Sequence, residues 1–179
     1  AEEVKWMKEA EKKGENHLDP SEMALQCLYT DALEKNQRMT ADVRKYLVGK
    51  LEKMSGQLTI YGKALSAIVL KEVGKEAKAK KFLESLMQYS VMTEEMGRYF
   101  YTPKAEYSWF SYRIPTQVAA IEAVKCIANE EKTQEEMKRW LLKQKQAQAW
   151  DTPIATADAV YALLMTGKNG LQQTGAAAI

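Results

Sequence analysis

Few residues in this chain could do chemistry. It holds one His, two Cys and 24 acids. His17 has no neighbouring His or Cys and no carboxylate pair, which excludes the usual zinc and iron donor sets. No metal and no cofactor is expected. Cys27 and Cys126 lie in apolar stretches, where a free thiol behaves as a small hydrophobe. Neither has a partner His, so thiol catalysis is not expected. Glu94, Glu95, Glu106, Asp151 and Asp158 are the acids available for general acid–base work of the kind glycosidases perform. Glu94 and Glu95 follow Thr93 as first-turn residues of a helix, where acids favour the dipole. Asp158 is a single acid on an apolar stretch and suits a structural hydrogen-bond acceptor better than a catalyst. No residue is assigned a catalytic role. The best binding candidates are aromatic: Tyr99, Tyr101, Tyr107, Trp109 and Tyr112, within residues 91–114. Exposed, such rings offer stacking area and polar edges to a peptide or a sugar; folded down, they make a lid.

These residues are carried on a helical repeat. Residues 133–165 read as an amphipathic helix, a polar elbow containing Trp150, and a second helix that is apolar almost all round from Ile154 to Leu164. The first is an outer helix with one greasy stripe, and the second is an inner, buried one. The same outer–inner unit precedes it. Val4, Trp6, Met7 and Ala10 mark an outer helix ended at Gly14, and Asp19, Pro20 and Glu22 open an inner helix through a capping box. Thr40 caps the next outer helix, and residues 58–73 form the next inner one, ended at Gly74. Ala79, Phe82, Leu83, Leu86 and Met87 give residues 75–90 the clearest helical period. Residues 91–114 have no stripe, and residues 117–128 form the third inner helix. Thr133 to Glu136 is a further capping box.

Four pairs result, repeating about every 40 residues except at the aromatic insertion. The fold class expected is all-α, an α/α toroid arc of four outer–inner pairs that does not close its ring; a straight superhelix is the alternative. Residues 1–166 make one domain and residues 167–179 an irregular tail.

At 179 residues, 46% apolar and 28% charged, the chain has the composition of a globular domain with a sizeable core. Its net charge is +2, with both signs mixed along the chain, so no concentrated basic stripe is available for nucleic acid. The most basic run, Lys71 to Lys81, is broken by Glu72 and Glu76 and reads as a solvated helix face. No apolar run is long enough to span a membrane. The first residue is Ala, and the chain is expected to be a piece of a longer protein.

The order of motifs resembles the thioester-type α/α-toroid domain of the α2-macroglobulin family. The residues that carry this are Arg139-Trp140-Leu141-Leu142-Lys143-Gln144, then Trp150, Thr152, Thr156, Asp158 and the aliphatic run Val160 to Leu164. The bacterial branch is similar at Lys81 to Leu86, at Val91 to Gly97 and at Tyr107-Ser108-Trp109. The resemblance covers residues 58–165. It implies a structural and interaction domain of a protease-trapping endopeptidase inhibitor rather than an enzyme. In the family a bait is cleaved, the molecule rearranges, and a Cys–Gln thioester can couple to the attacking protease. The thioester motif Cys-x-Glu-Gln is absent, since Cys27 is followed by Leu-Tyr-Thr and Cys126 by Ile-Ala-Asn. No active residue is therefore carried over; Trp140, Trp150, Thr156 and Asp158 are expected to be structural. The partners implied are the other domains of the same chain and the target proteases. The location implied is the periplasm or the cell surface. Two other classes remain open: a toroid enzyme acting on glycans or isoprenoids, and a helical peptide-binding scaffold.

Overall fold

A computed structural model describes residues 1–15, 18–34, 39–53, 58–105, 112–147 and 153–165. They are mostly helical, and among them lie eight α-helices and one two-stranded sheet. The helices are α1 (Glu2–Lys12), α2 (Glu22–Glu34), α3 (Ala41–Lys53), α4 (Ile60–Glu72), α5 (Glu76–Met87), α6 (Arg113–Ala123), α7 (Glu131–Ala147) and α8 (Pro153–Met165). The all-α class is therefore correct, with one small exception in residues 90–100.

The inner helices α2, α4, α6 and α8 pack in sequence, each against the next. The middle of that row is α4, buried from Ile60 through Leu70 apart from Tyr61. Its small residues Gly62, Ala64, Ser66 and Ala67 let α2, α5 and α6 approach closely. A Cβ on Gly62 would already touch Leu25 Cδ1 at 3.4 Å. Thr59 caps the helix, its hydroxyl accepting from the Gly62 N–H at 3.1 Å.

Several boundaries differ from the sequence reading. On α1, Val4, Met7 and Ala10 are buried but Trp6 is exposed, because two residues along a helix is about 200° of rotation. Ser21, not Asp19, caps α2: its hydroxyl accepts from the Ala24 N–H at 3.1 Å, and both its N–H and its hydroxyl donate to Glu3. The third inner helix starts four residues earlier than expected, and Pro115 sits harmlessly in its first turn, where no N–H partner exists. It ends in a π turn, Val124–Ala128, stopped by Asn129 in the left-handed region. Helix α7 begins at Glu131, so the expected capping box is not formed; Thr133 donates to Glu130 and Glu136 pairs with Arg98 instead. Glu94 and Glu95 are not in a helix but in a turn.

That turn joins β1 (Ser90–Thr93) and β2 (Gly97–Phe100), antiparallel with Ser90 opposite Phe100. A 3-10 turn, Pro103–Ala105, follows. The hairpin lies on α7. Arg98 Nε donates to Glu136 Oε2 at 2.9 Å, and buried Gln117 donates both amide hydrogens, to the Arg98 carbonyl at 2.8 Å and the Met137 carbonyl at 3.1 Å. Tyr99 stacks on Trp140, with ring centroids 6.0 Å apart and planes 9° from parallel.

The end helices fall short of the burial expected. Of the α8 side chains described, only Ala159 and Ala162 are buried, and Val160, Tyr161 and Leu164 are exposed. On α2, Leu25, Leu28 and Asp31 are buried while Met23 is bare. An apolar helix is buried all round only if neighbours stand on all its sides. The middle helix α4 has them, and α2 and α8 do not. The cysteines follow suit: both are free and exposed rather than buried.

Gly97 provides a direct test of the hairpin's seat. Its φ is +80°, and a Cβ there would collide with the Glu136 carbonyl oxygen of α7. Gly97→Ala combines a disfavoured backbone with a collision against a helix backbone that cannot easily give way. It should destabilise by on the order of 3 kcal/mol in a urea melt. Gly49→Ala, with open space at its Cβ, is the control.

Candidate functional site

The inner helices bring together a group of polar side chains that the outer face lacks. From α2 come Glu22, Gln26 and Tyr29, spaced three and four apart so that they share one helix face. Gln26 Nε2 donates to the Tyr61 oxygen of α4 at 3.2 Å and to the Tyr112 oxygen at 3.4 Å. The rings of Tyr61 and Tyr112 meet edge to face with centroids 5.2 Å apart. Tyr29 donates its hydroxyl to Glu122 Oε2 of α6 at 2.6 Å. Glu22 accepts from the Thr59 hydroxyl, and its Oε2 is buried with no partner among the described residues. Asp158 and Tyr161 of α8 complete the group, near enough that the Asp158 charge bears on Tyr61 and Glu122.

The electrostatics run in one direction. Burial pushes the carboxyls of Glu22, Glu122 and Asp158 above their ordinary range. At Glu122 the Tyr29 hydrogen bond and Lys125 oppose that shift, while Asp158 adds to it. Burial pushes Tyr61 up to about 12, and it raises Tyr29 further still with help from the Glu122 hydrogen bond. Where α2 meets α3 the reverse holds: Arg44, 2.6 Å from Asp31, holds that carboxyl low. Such a group favours neutral acids and intact phenols, suited to hydrogen bonding among themselves and with a polar guest.

The sequence candidates scatter across this geometry. Tyr112 joins the group. Tyr99 does not, being stacked on Trp140 beneath the hairpin. Tyr101 is 72% exposed, with the Arg113 guanidinium 6.0 Å from its ring centroid. Trp140 is buried. Tyr107, Trp109 and Trp150 lie outside the described residues, as do His17, Glu106 and Asp151. Thr156 and Asp158 are half-buried on α8. Burial raises the Asp158 carboxyl, and the Thr116 hydroxyl donates to the Ala105 carbonyl at 3.2 Å. Gln26, Tyr29, Tyr61 and Glu122 were not singled out from the sequence, and Glu22 was read only as part of a capping box. One signal was present, since Glu122 is a lone acid on an apolar helix just as Asp158 is.

Among the described residues no group of His, Cys, Asp and Glu could hold a metal, and no helix is long and apolar enough to cross a membrane. A cleft of about 490 Å³ lies beside the group, lined by Gln26, Cys27, Thr30, Asp31, Met39 and Val43.

The raised carboxyls make a pH prediction. A carboxyl whose folded pKa lies above its unfolded value stabilises the fold fully below the unfolded value, and that contribution is lost as pH rises through the folded one. Around Glu122 stand Tyr29 from α2, Asp158 and Tyr161 from α8, and Lys125 and Cys126 from the π turn. Glu122→Gln keeps the acceptor for Tyr29 and cannot ionise. Its urea midpoint should match the wild type below the ordinary value of 4.5 and exceed it at neutral pH. Equal midpoints at both pH values would contradict the assignment.

Compared with family models, with curated proteins and with solved structures, the chain finds no match in any of the three.

Proposed function

We propose that this chain is a structural and interaction domain of a bacterial α2-macroglobulin-like protease trap, and that its helices form an arc of an α/α toroid. The observation that carries the reading is the Tyr29–Glu122 hydrogen bond, which joins the first inner helix to the third past the second. Packed helix axes lie about 8–10 Å apart, so in a straight row the first and third would stand about 16–20 Å apart with α4 between them. Extended side chains could just span that gap, but with α4 in the way they meet more readily if the row bends toward a common centre. A bent row supports a toroid over a straight superhelix. The bare apolar sides of α2 and α8 support an arc whose ends adjoin further structure.

In this reading the domain contributes surface and shape to the trap. It needs no active residue of its own, and its partners are the other domains of the same protein and the captured protease. Its place would be the periplasm or the cell surface. A toroid enzyme is the second reading, favoured by Glu122 and Asp158, two acids raised by burial on the adjacent helices α6 and α8. The decisive experiment uses the full-length gene product. Incubated with a broad-specificity endopeptidase, it should be cut at a bait and retain the protease in a complex that survives gel filtration. Cleavage without retention, or turnover in a glycan-hydrolysis screen that Glu122→Gln abolishes, would overturn the trap.

The bare face of α8 makes its own prediction for this chain alone. Val160 is 42% and Leu164 65% exposed, one helical turn apart on a single face. The isolated chain should bind a hydrophobic dye and self-associate in light scattering. Val160→Ser with Leu164→Ser should reduce both, with little change in the circular dichroism.

A further inference from the structure

Tyr89 follows the last turn of α5 and has two lysine side chains close to its ring. Lys104, in the 3-10 turn, donates from Nζ to the phenol oxygen at 3.0 Å and lies 4.8 Å from the ring centroid. Lys63, on α4, holds its Nζ 4.9 Å from the same centroid. Lys63 is 1% exposed, donates to Ser85 Oγ at 2.8 Å, and has no carboxylate partner among the described residues. Two amines therefore bear on one phenol; burial and the Lys104 charge lower the pKa of Lys63, and the Tyr89 oxygen opposes that shift. The group best placed to supply a negative charge beside Lys63 is the Tyr89 oxygen itself. Lys104 stabilises the phenolate by hydrogen bonding and by charge, and Lys63 adds to it by charge, so the phenol ionises more readily than an ordinary tyrosine. Tyr89 is half-buried and Lys104 exposed, so a small reagent can reach the oxygen from the Lys104 side.

We propose that Tyr89 is a nucleophilic phenol, a site of covalent O-acylation by activated acyl donors such as acyl imidazoles and thioesters. In that step the phenolate oxygen forms a C–O bond to the acyl carbon. The bond from that carbon to the leaving group breaks, and its electron pair stays with the imidazole or thiolate. The proton lost by the phenol passes through solvent to the leaving group, and nothing is oxidised or reduced. An activated nucleophile of this kind needs a larger share of its base form than an ordinary phenol has, and the Lys104 hydrogen bond and the two nearby charges act in that direction. A lower pKa also makes the oxygen intrinsically less nucleophilic, but the gain in ionised fraction is the larger effect. Acylation would cap the oxygen that Lys104 binds and leave Lys104 without that acceptor. The inference is independent of the protease-trap reading.

N-acetylimidazole on the intact chain, at mildly alkaline pH and short times, is the probe, with each acetyl placed by peptide mass mapping. The internal reference is Tyr101, the more exposed of the two rings. Tyr89 should acetylate roughly fivefold faster than Tyr101 despite its poorer exposure. The adduct should be removed by hydroxylamine, as phenyl esters are and amides are not. Lys104→Met should bring Tyr89 down to the Tyr101 rate or below with unchanged circular dichroism, and Lys104→Arg should preserve most of the advantage. Tyr89 reacting no faster than Tyr101 would overturn the proposal. So would a hydroxylamine-resistant adduct on Lys63 or Lys104 in place of the ester, or a rate indifferent to Lys104→Met.

Discussion

A helix with almost no solvent face must have its long polar side chains and its capping groups answered by its neighbours, and α4 is that helix, with only the Ser66 hydroxyl left without a partner among the described residues. Its entrance is met by Thr59, which caps it and donates onward to Glu22 of α2. Its lysine is met by Ser85 and by the Tyr89 ring. Its one half-exposed ring, Tyr61, is met by Gln26 and Tyr112. Each answer comes from a different element, so satisfying α4 positions α2, α5 and the start of α6 together. A buried, unpaired polar group is costly to leave unmade, and that cost makes these placements specific where apolar contact alone would tolerate sliding.

The insertion between α5 and α6 is held by different means. Arg98 and Gln117 tie the second strand to α6 and α7 through a charge pair and a two-pronged amide. Gly97 then allows the strand to begin in contact with the α7 backbone. The hairpin is therefore as much part of the last outer helix as of the chain that leads into it. The aromatic content of this region serves two ends: Tyr99 extends the core by stacking on Trp140, and Tyr112 joins the polar group at the inner helices.

How much of this was legible beforehand depended on whether a signal was periodic. The outer stripe of α5, that of α1 apart from Trp6, the glycine stops at Gly14 and Gly74 and the order of eight helices all follow from apolar spacing that local sequence carries. The hairpin escaped because its strands are four residues each and alternate weakly, and because Thr-Glu-Glu imitates a helix start. Burial of α8 was misjudged because composition reports what a helix would bury given neighbours, not whether neighbours are present. The polar group at the inner helices was hidden for a related reason. Glu22 and Glu122 lie 100 residues apart in sequence, and only the packing of α2 on α4 and of α4 on α6 makes them members of one group.

The two exposed thiols have a bearing on where the chain can live. Cys27 and Cys126 are free and on the surface. In an oxidising compartment such as a periplasm, an exposed thiol with no partner in its own chain is open to mixed disulfides with other molecules. A protein resident there gains from covering such thiols or pairing them across an interface. The reducing cytosol imposes no such demand. The redox state of these two sulfurs in protein recovered from cells is thus a record of the compartment it came from, written independently of any targeting signal.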